Sequence, residues 1–270
     1  MTTDTIALNV KDSGGHGRPV ILIHGWPLSS DAWQDQMPAL VDAGLRVIAY
    51  DRRGFGRSEK PDVGYDYDTL SDDLAGLIEH NDLRNVTLVG FSMGGGEVAR
   101  YVARHGQDRL HSVVFASAVP PFLMKGDDNP DGPLTPEQAQ EFERNLRADR
   151  QAFFDGFTTD FFSANGDLKV TPEQRQQALQ LCLQSDEDAA LGCMKAWATT
   201  DFRDDLTQVT VPTLVMHGDA DGIVPIEGSG ERTHETIGHS KLHVLTGAPH
   251  GCNVSHASEF NRVLIDFLLN

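Results

Sequence analysis

The chain has 270 residues, 39% hydrophobic and 7% aromatic, which suits one large α/β domain burying roughly three quarters of its unfolded surface. The 22 Lys and Arg residues face 40 Asp and Glu, a net charge of −18 that repels phosphate backbones, acidic membrane surfaces and strongly anionic substrates, so nucleic acid is not expected as a partner. No run approaches the ~18 apolar residues of a membrane helix. Met1 to Val10 lacks the basic and apolar make-up of a secretory leader, so the cytoplasm is the expected location. Cys182, Cys193 and Cys252 fit no metal or redox spacing and read as core residues or free thiols.

Short apolar runs alternate with helical patterns, which predicts a mostly parallel sheet covered on both faces. In chain order, Val20 to Ile23 is a strand, Asp31 to Ala43 a helix and Arg46 to Tyr50 a strand. Thr69 to Asp82 is an amphipathic helix, Val86 to Phe91 a strand, Gly94 to His105 a helix and Ser112 to Ser117 a strand. From Pro120 to Leu206 no convincing strand is found. A cluster of prolines (Pro120, Pro121, Pro130, Pro133, Pro136) opens a segment of helical patterns rich in Gln, Glu, Arg and Phe. The expected organisation is a core of residues 1–119 and 207–270 with a helical cap at 120–206. Strands resume at Thr213 to His217 and Lys241 to Leu245, with helices at Glu227 to Ile237 and His256 to Leu269.

Gly90-Phe91-Ser92-Met93-Gly94 is a G-x-S-x-G pattern, weak alone but placed between the strand Val86 to Val89 and the helix opening at Glu97. A nucleophile elbow needs that placement: the serine sits in a strained turn, and its neighbours two residues away must be small. The competing reading is an idle serine in a glycine-rich turn. A serine hydroxyl needs a base, and 11 histidines compete. His80, His105, His111, His234, His239 and His243 fall on helices or connections; His24 and His217 end apolar strands and read as loop supports. His250 lies between the last strand and the last helix, in a loop at the carboxyl end of the sheet, where ligand sites of open α/β sheets lie. The acid should fall between serine and histidine in the chain. Asp219 and Asp221 both fit; Asp221, further from the strand end, is preferred, with Asp219 as a loop cap. Of the two oxyanion donors, one should be the backbone of Met93. The other should come from His24-Gly25-Trp26-Pro27, and since Pro27 has no N–H, from Trp26. Arg52, Arg53 and Arg57 form a basic knot that reads as structural pairing with carboxylates. No metal-ligand or cofactor motif is legible, so neither metal nor cofactor is expected.

Together, His24-Gly25-Trp26-Pro27-Leu28, Tyr50 to Ser58, Gly64 to Asp68 and Gly90 to Tyr101 resemble the bacterial aryl-esterases and cofactor-free haloperoxidases, or perhydrolases, of the α/β-hydrolase superfamily. The resemblance runs from about His24 to the C-terminus and is thin in the cap; the first fifteen residues depart from it, leaving the edge strand open. It implies an α/β-hydrolase fold, Asp221 as the acid and Trp26 and Met93 as oxyanion donors. In similar enzymes some cap phenylalanines line an apolar acyl or aryl pocket, and Phe142, Phe157, Phe161, Ile223 and Val224 are the residues expected to line it in this chain. The expected activity is hydrolysis of small neutral aryl or short-chain esters. Proline after Trp26 looks like the perhydrolase branch, in which hydrogen peroxide replaces water. Lactone or γ-lactam hydrolysis is the alternative within the fold, and a weakly catalytic ligand receptor is the alternative of another class. Similar enzymes are often homo-oligomers, and no interface is legible in this chain.

Overall fold

The computed structural model describes residues 6–270; Met1 to Thr5, half of the stretch read for a leader, lie outside the described residues. The strands of the first half are β1 (Val10–Asp12), β2 (Pro19–Ile23), β3 (Arg46–Tyr50), β4 (Val86–Phe91) and β5 (Leu110–Ala116). A short pair follows, β6 (Ser163–Ala164) and β7 (Asp167–Leu168), and then β8 (Thr213–Gly218) and β9 (Lys241–Leu245). The central sheet has the order β1-β3-β2-β4-β5-β8-β9. Only β1 runs antiparallel in it, with Val10 opposite Tyr50; every other neighbour is parallel. β2, β4 and β5 are the middle of the sheet, and from Val20, Val86 and Ser112 onward every residue in them is buried, most of them apolar, as suits strands covered on both faces. The edge strand left open by the sequence is therefore the three-residue β1.

Helices α1 (Gln36–Asp42), α2 (Tyr67–His80) and α3 (Met93–His105) follow β2, β3 and β4. Between β5 and β8 come α4 (Pro136–Ala148), α5 (Arg150–Phe161), α6 (Pro172–Gln184), α7 (Glu187–Thr199) and α8 (Arg203–Thr207). The C-terminal part adds α9 (Gly230–Thr236), α10 (Cys252–Ser255) and α11 (Ala257–Leu269). α1 packs on α11, while α2, α3, α8 and α9 form a second connected group, so the sheet is flanked on both sides.

Three differences from the expected elements have local causes. The helix expected over 31–43 is split into a 3-10 turn, Ser30–Trp33, and α1. Pro38 explains the break: starting at Gln36 puts the proline in the first turn, where its missing N–H costs no ladder bond. The helix expected over 227–237 is likewise divided, because Ser229 is held out of helical conformation. The segment 120–206, in which no strand was expected, does contain two, the two-residue β6 and β7. Asn165 and Gly166 between them have φ of 55° and 84°, and Asn-Gly is the dipeptide that favours such a two-residue hairpin turn.

α4 and α6 open with complete capping boxes, Thr135 with Gln138 and Thr171 with Gln174, each followed by proline at the first helical position. The three cysteines are buried and free. No helix among the described residues is long and apolar enough to cross a membrane.

Candidate active site

Four loops at the carboxyl ends of parallel strands converge: Gly25–Leu28 after β2, Ser92 after β4, the segment after β8 and the segment after β9. Ser92 has φ 54° and ψ −120° between β4 and α3. A left-handed φ is strained for a non-glycine residue and turns the hydroxyl out of the sheet. The turn closes because its neighbours are bare backbone: a Cβ at Gly90 would fall 2.4 Å from the carbonyl of Gly94, and one at Gly94 would fall 2.5 Å from that of Ile23. The Ser92 carbonyl accepts from Gly95 N–H at 3.0 Å, which fastens the serine to the first turn of α3.

Ser92 Oγ lies 2.9 Å from His250 Nε2, and His250 Nδ1 lies 2.7 Å from Asp221 Oδ2. Asp221 Oδ1 accepts the N–H groups of Ile223, at 3.0 Å, and Val224, at 2.8 Å. Burial alone would raise the Asp221 pKa; the charge of His250 and hydrogen bonds from His217 and His250 hold it well below the ordinary carboxylate range. The carboxylate therefore stays ionised and fixes the proton of His250 on Nδ1, leaving Nε2 to face the serine. Asp219, the competing acid, is exposed and caps the loop instead, accepting from Gly247 N–H at 2.6 Å.

The structure gives His217 more than loop support. Its Nε2 is 2.8 Å from the carbonyl of Val224 and 3.3 Å from Asp221 Oδ2, so it steadies both the carboxylate and the loop that hydrogen-bonds the carboxylate. Sequence spacing held one signal of this, since His217 and Asp221 are four residues apart across a tight turn. His24 does support its loop: Arg52 N–H donates to its Nε2 at 3.0 Å. Burial, with the charge of Arg52, pushes the His24 pKa down to about 3. The basic knot pairs as expected, Arg53 with Asp73 at 2.6 Å, Arg57 with Asp31 at 3.1 Å, and Arg52 with the buried Glu97. Tyr50 hydroxyl donates to the same Glu97 at 2.6 Å, and this ionic group ties β3 to α3 directly under the elbow.

The backbone N–H groups of Trp26 and Met93 find no protein acceptor among the described residues. Buried N–H groups are rarely left so, and these two, one on the residue after Ser92 and one on a residue that lines the same cavity as Ser92, are suited to a developing oxyanion. The Met93 N–H also belongs to the first turn of α3, the positive end of that helix. The Trp26–Pro27 peptide is cis, in a turn closed by Leu28 N–H on the Gly25 carbonyl at 3.0 Å. The Trp26 indole donates to the Ala190 carbonyl at 2.9 Å and meets Phe153, Phe154, Phe157 and Trp197 edge-on. Edge-to-face pairs contribute about 0.5–1.5 kcal/mol each beyond burial, and through them α5 and α7 pack against the Gly25–Leu28 loop itself.

Ser92, His250 and Trp26 lie at the bottom of a cavity of 570 Å³ between the sheet and helices α4, α5 and α7. Phe142, Phe157, Ile223 and Val224 line it. Phe161 does not. It is buried behind the base, 4.9 Å from the His250 ring and nearly perpendicular to it, and its carbonyl accepts from Gly251 N–H at 2.8 Å. Its outer edge borders a separate groove along α6. The cause is position: Phe161 ends α5, where the chain passes under the His250 loop, whereas Phe157, one turn earlier, faces the cavity. Sequence reasoning missed Phe153, Met194 and Trp197 as lining residues, since nothing in the local pattern separates a cavity wall from core. Asp149 and Asp160 stand exposed on the lining, and no Lys or Arg among the described residues joins them. No cluster of three or more His, Cys, Asp or Glu side chains among the described residues is disposed to hold a metal ion.

A serine on a strand–helix elbow within reach of a histidine, itself held by an aspartate, on a seven-stranded mostly parallel sheet is the arrangement of a hydrolase core. The profile described as alpha/beta hydrolase fold matches residues 18–257, and the chain belongs to that family. It is 45% identical to a non-heme chloroperoxidase of Kitasatospora aureofaciens over 99% of this chain and 98% of that protein. It is 37% identical to a bifunctional esterase/perhydrolase of Acinetobacter calcoaceticus, again over 99% and 98% of the two chains. The crystal structure of a bromoperoxidase from Bacillus anthracis superposes with a TM-score of 0.96 at 50% identity, covering 98% of this chain and 96% of the other. These relatives fall in the group the sequence resembles, the aryl-esterases and cofactor-free haloperoxidases.

Proposed function

We propose that the protein is a cofactor-free serine hydrolase of small, neutral aryl or short-chain esters that also performs perhydrolysis when hydrogen peroxide is present. The observation that carries the reading is the Ser92–His250–Asp221 relay, at 2.9 and 2.7 Å, under an apolar cavity. Ser92 Oγ attacks the ester carbonyl while His250 Nε2 takes its proton. The Trp26 and Met93 N–H groups hold the oxyanion. Collapse expels the alcohol or phenol, protonated by His250, and leaves an acyl group on Ser92. Water then attacks, giving a carboxylic acid, or hydrogen peroxide attacks, giving a peracid; in either case His250 takes the nucleophile's proton and returns one to Ser92. The released peracid is itself the oxidant of halide.

The lining supports neutral substrates, because exposed Asp149 and Asp160 repel an anionic acyl group and no cation is there to hold one. We treat residues 120–206 as a cap on a core formed by 1–119 and 207–270, since the residues from this segment that reach the cavity come from α4, α5 and α7, from Asp149 between α4 and α5, and from Leu123, Pro133 and Leu134 before them. The test is p-nitrophenyl acetate hydrolysis, and peracetic acid formation from acetate ester and peroxide, by wild type and Ser92→Ala. Both activities are expected to fall by about 10⁶ in the variant; retention of either at more than about a hundredth of wild type overturns the assignment.

A further inference from the structure

Trp197 and Met194 stand at a boundary between two spaces. On one side is the 570 Å³ cavity over Ser92, lined from α4 by Gln138, Phe142 and Asn145. On the other is a solvent-open pocket of 390 Å³, lined by the opposite face of α4 (Ala139, Glu143, Arg147), by Leu191 and Ala198 of α7 and by Tyr65, with the exposed Asp62, Asp188 and Lys195 also on it. Met194 and Trp197 are the only described residues that line both. The seam between α4 and α7 is therefore closed by two side chains, and the larger is the indole.

Two further observations bear on why that residue is a tryptophan. Its ring sits 5.8 Å from the Trp26 ring at 60°, so it abuts the loop expected to hold the oxyanion, close to where an acyl group on Ser92 would lie. Its indole N–H is buried with no hydrogen-bond partner among the described residues. A buried indole N–H without an acceptor is unfavourable, so hydrogen bonding does not account for tryptophan at this position. Bulk does, since a smaller side chain leaves the seam open.

We propose that Trp197, with Met194 beside it, is the specificity-determining wall of the acyl pocket. It limits the enzyme to short acyl chains by separating the Ser92 cavity from the open pocket beyond the α4–α7 seam. Shortening it joins the two spaces into a channel that accepts medium-chain acyl groups. The inference rests on the ester-hydrolase reading for its first test and on geometry alone for its second.

In the first test, kcat/KM is measured for p-nitrophenyl acetate, butyrate, octanoate and decanoate with wild type, Trp197→Phe and Trp197→Ala, each checked for fold by circular dichroism. Trp197→Leu replaces the alanine variant if that one does not fold. The octanoate-to-acetate ratio is expected to rise by about tenfold or more in Trp197→Ala or Trp197→Leu and by less than about threefold in Trp197→Phe, which keeps most of the bulk. A folded alanine or leucine variant whose ratio stays within about twofold of wild type overturns the proposal. In the second test, decan-1-ol and butan-1-ol are titrated calorimetrically into Ser92→Ala and into Ser92→Ala/Trp197→Ala, where no turnover is involved. Decan-1-ol is expected to bind about tenfold tighter to the double variant while butan-1-ol is unchanged; equal decan-1-ol affinities overturn the proposal. Absence of ester turnover by wild type combined with the expected alcohol binding would refute the hydrolase reading and leave the wall intact.

Discussion

Replacing Asp221 by asparagine changes one atom of the relay and reverses its polarity. The new amide keeps its oxygen toward the N–H groups of Ile223 and Val224, which donate to Asp221 Oδ1 at 3.0 and 2.8 Å. Its NH₂ then takes the place of Oδ2, 2.7 Å from His250 Nδ1 and 3.3 Å from His217 Nε2. An amide N–H can meet His250 only if Nδ1 is bare, which moves the ring proton to Nε2, facing Ser92 Oγ at 2.9 Å. The base is then blocked. Loss of the charge-assisted hydrogen bond alone accounts for about 1.5–3 kcal/mol, or roughly 10- to 150-fold in rate. With the wrong tautomer added, the expected fall in kcat is about 10⁴, the size of the effect that the same exchange has in serine proteases. KM for p-nitrophenyl acetate should stay within about threefold, because Asp221 does not line the cavity. Steady-state kinetics at about pH 8, above the ordinary histidine range, measure both. A folded variant that loses less than about tenfold in kcat would refute the argument that Asp221 sets the tautomer.

The buried His24 provides a pH test of stability. With its pKa at about 3 in the fold and about 6.5 in the unfolded chain, the unfolded state binds more protons between those values. Its contribution is therefore complete above about pH 6.5 and is lost as pH falls toward 3, amounting to about 2 kcal/mol by about pH 5. Urea unfolding of wild type and His24→Asn at about pH 8 and about pH 5 should show their stability difference shrinking by that amount; a constant difference contradicts it. Pro27→Leu restores an N–H beside Trp26 and frees a backbone angle that proline fixes. The ratio of peracid to acid formed from the same acyl-enzyme is expected to fall severalfold, and an unchanged ratio would separate Pro27 from the choice of nucleophile.

The parallel strands and the chemistry they carry were legible in the sequence, whereas the short edge strand β1 and the two-residue β6 and β7 were not. Apolar runs such as Val86 to Phe91 have one way to be buried on both faces, and the small residues around Ser92 permit one kind of turn. Chain order then pointed to His250 and to the region of Asp219 and Asp221, because a loop after a parallel strand is delivered to the same edge of the sheet whatever its sequence. Helix limits near Pro38 and Ser229 were less legible, since periodicity marks a helical face more clearly than a local break. What tertiary structure alone decided is which side of a side chain is used. Phe157 and Phe161 are one turn apart on α5, yet one faces the cavity and the other backs His250. His24 and His217 both end apolar strands as His-Gly, yet only His217 reaches the carboxylate of Asp221. Trp197 becomes a wall only because α4 and α7 leave a space on each side of it. Local sequence specifies backbone conformation and polarity, whereas a cavity is a relation between distant segments and exists only once they are packed.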